Sequence, residues 1–154
     1  MGDFAGTEGY DTLHMQCNLG SFKIIPGEGR IEIDFNGSVL VSGLEGDIEV
    51  SEGLVEEFTK FGRSIYHGTG KITVSGKWRA VQWFGTDMQA DWYGKGLCRI
   101  TGEFDRDLKT GEYWYDDPED KGYFATSMME ITLPERKVGF APGVTPQRRG
   151  GGDE

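Results

Sequence analysis

Apolar and polar residues alternate in short segments along most of the chain, and glycines separate one segment from the next. Ile72 and Val74 are two positions apart, and Cys98 and Ile100 repeat this arrangement. Residues two apart lie on the same face of a β-strand, so the pattern is typical of strands with one buried face. Glycine also recurs too often for a helix, because each glycine in a helix interior costs about 1 kcal/mol relative to alanine.

The alternating segments predict an all-β fold. We expect a glycine-rich antiparallel sandwich, roll or flattened barrel of roughly eight to ten strands. The dipeptide Asn36-Gly37 stands between two alternating runs, and Asn-Gly in that position is the strongest short-range signal for a β-hairpin. We therefore predict a hairpin over residues 30–42.

One segment departs from the alternation. Its apolar residues fall at helical spacing at Leu54, Val55, Phe58 and Phe61. Ser51 precedes them as a candidate N-cap. This segment predicts at most one short helix, over about 52–61, and a long hydrophobic loop is the alternative.

Four segments share the order glycine, any residue, apolar, any residue, apolar, small polar. They begin at Gly29, Gly46, Gly70 and Gly96. This cadence resembles that of bactofilin-type filament proteins, and the resemblance implies a structural role, whereas the uneven spacing departs from a regular solenoid. The alternative is that strands in any glycine-rich β-protein look alike.

The 154 residues suit a single domain. We predict a flexible N-terminus over residues 1–8, a β-domain over 9–134 and a Pro/Gly-rich C-terminal extension over 135–154, disordered from about 144. The first residues carry no basic segment followed by an apolar one. We therefore expect a cytoplasmic location, and secretion of a processed form stays open.

The charge balance restricts the partners. The formal net charge is −10, whereas binding to nucleic acid or to an anionic membrane needs clustered Lys and Arg. We therefore predict no nucleic-acid partner and no membrane partner. Cationic partners and neutral carbohydrate are compatible with an acidic surface.

No catalytic or metal-binding motif is recognisable in the sequence. The chain has two histidines and no nucleophile elbow, phosphate-binding loop or zinc-protease motif. The acidic loop 116–120 has calcium-ligand residue types, but Pro118 interrupts it and the EF-hand spacing is absent. We expect no catalytic residue, cofactor or metal ligand, and leave cation binding by that loop open.

Two cysteines allow neither a zinc site nor a disulfide framework. Cys98 lies in an alternating segment, which predicts a buried free thiol. A Cys17–Cys98 disulfide is the alternative.

Adjacent aromatic residues mark the candidate functional positions, because neighbours in a strand point to opposite faces. The candidates are Trp83, Trp92, Tyr93, Tyr113, Trp114 and Tyr115. Either both faces of the sheet are covered, or one aromatic row is exposed and contacts a ligand or another subunit.

Two functions are favoured by these observations over a third, an enzyme on a β-scaffold that would need Asp or Glu carboxylates converging in a deep pocket. The first is a non-catalytic structural or self-assembling protein, a homo-oligomer formed through strand edges or an aromatic face. The alternative is a carbohydrate-binding module in which Trp83, Trp92 or Trp114 stacks on a sugar ring.

Overall fold

The computed structural model describes residues 9–58, 62–102, 111–124 and 128–140, except for the side chains of Phe58 and Phe140. These residues form nine strands: β1 (Asp11–Ser42), β2 (Glu45–Val50), β3 (Leu54–Phe58), β4 (Arg63–Trp78), β5 (Ala80–Gly102), β6 (Gly111–Trp114), β7 (Gly122–Tyr123), β8 (Met129–Leu133) and β9 (Lys137–Phe140). Strands hold 82% of the described residues, and none of these residues is helical. The all-β prediction is confirmed, and the antiparallel sheet is not closed into a barrel.

β1 and β5 are the two longest strands, and each pairs with the other along two separate segments at the centre of the sheet. They span 32 and 23 residues. Phe22 of β1 pairs with Trp83 on one edge and with Ile100 on the other, and Trp83 pairs with both Phe22 and Val39. Each strand therefore supplies two neighbouring segments. Across the sheet, the segments follow the order β4, the second half of β1 (27–42), the first half of β5 (80–94), the first half of β1 (11–24), the second half of β5 (96–102), β8 and β9.

The remaining strands extend this arrangement. β2 and β3 both pair with β4, β6 pairs with the first half of β1, and β7 pairs with β6. Because the described residues contain only strands, turns and irregular segments, none of their segments is a membrane-spanning helix.

One face of the rolled sheet buries a single hydrophobic core. Its largest fully buried side chains are Trp83, Trp92, Phe22, Leu13 and Met15. The rings of Phe22 and Trp83 stack with centroids 5.2 Å apart and planes 6° apart. Burying such a side chain contributes roughly 1.5–3 kcal/mol, so this face supplies most of the stability of the fold.

Glycines form two rows that cross the sheet. One row consists of Gly46, Gly76, Gly29 and Gly94, and the other of Gly68, Gly37, Gly85, Gly20 and Gly102, each paired with the next. At Gly29, φ is +119° and a Cβ atom would lie 2.0 Å from the carbonyl oxygen of Tyr93. The backbones approach one another too closely there for any side chain, and glycines in such positions let a sheet bend sharply.

The predicted hairpin over residues 30–42 is wrong, because β1 continues through Asn36 and Gly37 without turning. A two-residue hairpin of this type needs positive φ at both residues, and neither has it. Gly37 instead pairs with Gly68 on one side and Gly85 on the other. The side chain of Asn36 bonds to Thr69 and Thr86 across the neighbouring strands, so it supports the sheet rather than a turn.

The predicted helix over about 52–61 is also wrong, because Leu54–Phe58 forms β3, an edge strand paired with β4. Ser51 does not cap a helix: its Oγ accepts a hydrogen bond from the Lys71 N–H, and its own N–H donates to the Lys71 carbonyl, both at 2.9 Å. Pairing with β4 outweighs the weak local preference. Residues 59–61 lie outside the described residues.

The repeated segments do not stack as solenoid coils. Gly29, Gly46 and Gly70 begin segments that lie side by side in β1, β2 and β4 and run antiparallel. The segment that begins at Gly96 lies in β5 and continues the same antiparallel sheet. The resemblance to bactofilin-type proteins therefore does not extend to the architecture.

The sheet continues beyond residue 134, because β9 pairs with β8 as an edge strand. β9 lies within the segment 135–154, which the sequence predicts as an extension. The predictions of flexibility over 1–8 and disorder from about 144 concern residues outside the described ones. The division into segments stays a prediction.

Both cysteines are free and buried, so the prediction for Cys98 is confirmed and the disulfide alternative is wrong. The Cys98 Sγ lies 3.7 Å from the Met15 Sδ. Burial raises the pKa of the Cys17 thiol to about 11 and raises that of Cys98 as well. The thiolate is the reactive form of cysteine, and a raised pKa keeps both thiols protonated at neutral pH. Both cysteines therefore act as small apolar side chains in the core.

Candidate functional site

The structure separates the six aromatic candidates into three groups. Trp83 and Trp92 are fully buried in the core. Tyr93 is 41% exposed. The half-buried residues Tyr113, Trp114 and Tyr115 lie on or beside β6. The hypothesis that Trp83 or Trp92 stacks on a sugar requires an exposed indole, and burial removes both from the candidate surface.

A β-bulge explains why both tryptophans face the core although an odd number of positions separates them. Asp87 and Met88 together face Phe35, because the register shifts by one between the flanking pairs. Asp87 takes a φ of +51°, which is uncommon for a residue other than glycine. The extra residue reverses the alternation, so Trp83 and Trp92 point to the same side.

The exposed neighbours of these tryptophans do not form one aromatic surface. Phe84 is 43% exposed and Tyr93 is 41% exposed. They are nine positions apart on β5, which corresponds to about 30 Å of extended strand. An aromatic row of the kind that the sequence indicates is therefore absent from the described part of β5.

Six side chains from three adjacent strand segments meet on the outer face around Tyr93. Glu32, Asp91 and His14 form one row across the sheet, and Arg30, Tyr93 and Thr12 form the next. Together with Trp92 they line a shallow cavity of about 260 Å³. We call this group the outer-face site.

Charged groups in the outer-face site are paired. His14 Nδ1 lies 2.6 Å from the Asp91 Oδ1, and the Arg30 guanidinium donates to the Glu32 carboxylate at 2.8 Å. Lys71 Nζ lies 3.6 Å from the other Glu32 oxygen. The hydrogen bond from Arg30 is the main reason why the pKa of Glu32 is below its ordinary value. The site thus offers ordered donors and acceptors.

Trp114 supports the outer-face site from the side. Its ring stacks on that of His14 with centroids 5.4 Å apart and planes 20° apart. Lys121 Nζ lies 5.0 Å from the Trp114 ring centre and forms an ion pair with Glu112 at 2.9 Å. Because two neighbours already contact the Trp114 ring, this indole positions His14 rather than offering an open platform.

Tyr10 supports the opposite side. Its ring meets that of Tyr93 edge to face, with centroids 5.4 Å apart. Its hydroxyl donates to the Glu28 carboxylate at 2.7 Å. Burial, followed by this hydrogen bond, raises the pKa of Tyr10 to about 12, so the donor stays protonated at neutral pH.

The other two candidates belong to a separate cluster. Tyr113 stacks on Phe124 with centroids 5.4 Å apart, and Tyr115 lies under the Arg136 guanidinium. Arg136 also pairs with Asp11 and Asp116. These contacts tie β6 and the segment before β9 to the sheet and do not reach the outer-face site.

Sequence reasoning missed a second polar cluster on the outer face. His67 Nδ1 lies 2.8 Å from the Ser38 Oγ, and its Nε2 lies 2.9 Å from the Glu57 Oε1. A nucleophile, a base and an orienting carboxylate can have this arrangement. However, Ser38 lies in a central segment paired on both sides, and none of the cavities described here includes it. We interpret the cluster as a cross-strand contact that holds β3.

The described residues contain no group of three or more His, Cys, Asp or Glu side chains placed to hold a metal ion. Within the acidic loop, Asp116 pairs with Arg136 at 2.8 Å, and the Asp117 side chain accepts from the backbone N–H of Glu119 at 2.9 Å. Two of its carboxylates are therefore engaged within the protein.

No protein-family description matches the chain, and no curated protein or solved structure is detectably similar to it. We therefore infer function from the geometry of the sites.

Proposed function

We propose that the protein is a non-catalytic binding module that recognises a neutral carbohydrate at the outer-face site. The observation that carries this proposal is the 41% exposed Tyr93 ring beside two side-chain pairs, His14 with Asp91 and Arg30 with Glu32. An aromatic ring can stack on the apolar face of a sugar. Carboxylates can accept hydrogen bonds from its hydroxyl groups, and a guanidinium can donate to its oxygens.

Charge and size favour this class of ligand over others. The Arg30 guanidinium offsets the Glu32 carboxylate, and the Asp91 carboxylate lies beside it, so an anion gains little at this site. The cavity of about 260 Å³ is smaller than the roughly 300–1,000 Å³ of typical small-molecule pockets. It suits one sugar residue of a longer chain that continues across the open surface.

Replacing Tyr93 by alanine is expected to weaken carbohydrate binding by about tenfold, because one aromatic contact contributes roughly 0.5–1.5 kcal/mol beyond its buried area. A glycan array would identify the carbohydrate, and calorimetric titration of wild type and variant would give the affinities.

Phe84→Ala is the matched control, because Phe84 lies on the same strand with 43% exposure and outside the site. Equal losses for the two variants, or an absence of binding to every glycan tested, would rule out recognition at the outer-face site.

Self-association through sheet edges is a second candidate function, favoured by unlike charges at the two ends of the open sheet. β2 lies at one end and β9 at the other. β2 exposes Glu45, Asp47 and Glu49, whereas β9 begins with Lys137. Acidic edges repel one another, so pairing of β9 from one molecule with β2 of the next is the favoured contact. Such head-to-tail contacts give rings or filaments.

The double variant Glu45→Lys/Asp47→Lys is expected to abolish this association, and added salt is expected to weaken it in the wild type. Light scattering against protein concentration measures the association. The variant Glu119→Lys/Asp120→Lys makes the same charge change in an exposed loop and is expected to behave as wild type. A wild-type protein that stays monomeric at high concentration and low salt would exclude the edge contact.

A further inference from the structure

The hydrogen bonds that hold β3 to the sheet also act on a serine hydroxyl. They run from Glu57 on β3 through His67 on β4 to Ser38 on β1, with distances of 2.9 Å and 2.8 Å. None of the three residues lines the outer-face site. We call these three residues the Ser38 cluster.

The Glu57 carboxylate decides which ring nitrogen of His67 carries the proton. An ionised carboxylate only accepts hydrogen bonds, so Nε2 of the neutral ring carries the N–H and donates to Glu57. Nδ1 then has a free lone pair and accepts from the Ser38 hydroxyl. The hydroxyl thus donates to a base that a carboxylate orients, which is the arrangement that activates a serine as a nucleophile.

Apolar side chains border the Ser38 hydroxyl on the same face. Phe84 is 43% exposed and lies directly opposite Ser38 in the register of β5. Leu40 is half-buried and lies two positions further along β1. On β3, Val55 is 68% exposed and lies directly opposite His67. An apolar chain that contacts Phe84 or Leu40 therefore lies next to the Ser38 hydroxyl.

Strand pairing restricts the reagents that can react with Ser38. β1 pairs with β4 on one side of Ser38 and with β5 on the other, so the backbone N–H groups of this segment are engaged in the sheet. They are not free to stabilise an oxyanion, a contribution that reaches about 10²–10³ in rate per donor in hydrolytic enzymes. The Ser38 cluster is thus suited to acyl donors that carry a good leaving group.

We propose that Ser38 is a covalent acylation site that takes an apolar acyl group from an activated ester or thioester. The Ser38 Oγ bonds to the carbonyl carbon while its proton passes to the His67 Nδ1. The bond from that carbon to the leaving group breaks, and the leaving group takes the electron pair and then the proton from His67. The products are a Ser38 ester and a free alcohol or thiol. This modification does not depend on carbohydrate recognition, because the Ser38 cluster and the outer-face site have no residue in common.

Incubation of the full-length protein with p-nitrophenyl hexanoate tests the proposal. Intact-mass spectrometry and peptide mapping are expected to find one hexanoyl group on Ser38, with release of an equal amount of p-nitrophenolate. p-Nitrophenyl acetate has the same leaving group and a shorter acyl chain. It is expected to acylate Ser38 about fivefold more slowly, because fewer CH₂ groups contact Phe84 and Leu40. Phe84→Ala is expected to reduce this difference.

Two serine variants locate the reaction. Ser38→Ala is expected to abolish the labelling. Ser21→Ala is the matched control, because Ser21 is also half-buried and directly opposite Phe84, but Thr101 rather than a histidine lies on its other side. The control is expected to be labelled on Ser38 at the wild-type rate.

Variants of the other two residues test the activation of Ser38. His67→Gln is expected to slow acylation at least about tenfold, since a general base contributes roughly 10²–10⁴ in rate. Glu57→Gln keeps the size of the side chain and is also expected to slow acylation, whereas a purely structural role would change only the stability of the fold. Acylation of lysines alone, labelling of Ser38 at an unchanged rate in His67→Gln, or an equal loss in Ser21→Ala would overturn the proposal.

Discussion

Replacing Trp83 by alanine is expected to destabilise the protein by about 3–5 kcal/mol, the range found for removing a large buried aromatic side chain. Trp83 is fully buried and stacks on Phe22. It lies at the centre of the roll, where two segments of β1 flank it on opposite edges. The void left by the indole cannot close by a local shift, because the surrounding strands are tied to one another on both sides.

Urea denaturation followed by circular dichroism measures this loss. A domain of this size has roughly 5–15 kcal/mol of stability, so the variant is expected to unfold at a much lower urea concentration. Phe84→Ala is the control, because Phe84 is the next residue and points outward; its effect is expected to stay within about 0.5 kcal/mol. Comparable losses for the two variants would show that the assignment of faces along β5 is wrong.

The sequence predicted the strands because alternation is a local property. Ile31 and Ile33, or Ile72 and Val74, bury one face wherever they pair in the sheet. Likewise, the prediction that adjacent aromatics point to opposite faces is confirmed, with Trp92 buried and Tyr93 exposed. The sheet itself thus buries the indoles of Trp83 and Trp92.

The sequence does not show whether the backbone turns or stays extended at a turn dipeptide. Asn36-Gly37 is a frequent turn dipeptide, yet here the backbone stays extended and pairs on both sides. Two neighbours that hydrogen-bond to the same segment outweigh a local turn preference, as they do for the predicted helix that becomes β3. The pairing that decides both cases joins residues far apart in the chain.

The outer-face site was unpredictable for the same reason. His14 and Asp91 are 77 positions apart and meet only because β1 and β5 pair in one particular register. The pairing of Glu32 with Asp91 depends in addition on the bulge at Asp87, which no local motif announces. Sequence reasoning identified Tyr93 through its aromatic neighbour, but none of the polar residues that surround it.

The abundance of glycine was visible in the sequence, but its arrangement in rows was not. Gly29, Gly76 and Gly94 belong to three different strands and become neighbours only in the sheet. Close backbone approach along such rows lets the sheet curl enough to gather its apolar face into one core. The glycines are therefore part of the reason why a sheet that is not closed into a barrel can enclose Trp83 and Trp92.

Replacing Gly29 by alanine is accordingly expected to destabilise the protein by at least about 2 kcal/mol, because a side chain in a left-handed conformation is strained and a steric clash adds to the strain. The new Cβ atom would lie 2.0 Å from the Tyr93 carbonyl oxygen, and φ at this position is +119°. Relief requires β1 and β5 to move apart, and denaturant unfolding would report the cost.

Gly139→Ala provides the control, since no atom lies within 4 Å of the Cβ position at Gly139 and its φ is not in the left-handed region. That variant is expected to change stability by less than about 1 kcal/mol. Gly29 also pairs with Gly94, next to Tyr93. Gly29→Ala should thus weaken carbohydrate binding even where the protein remains folded, because the Tyr93 ring moves with its backbone. If Gly29→Ala proved as stable as Gly139→Ala, close strand contact along the glycine rows could not be what curls the sheet.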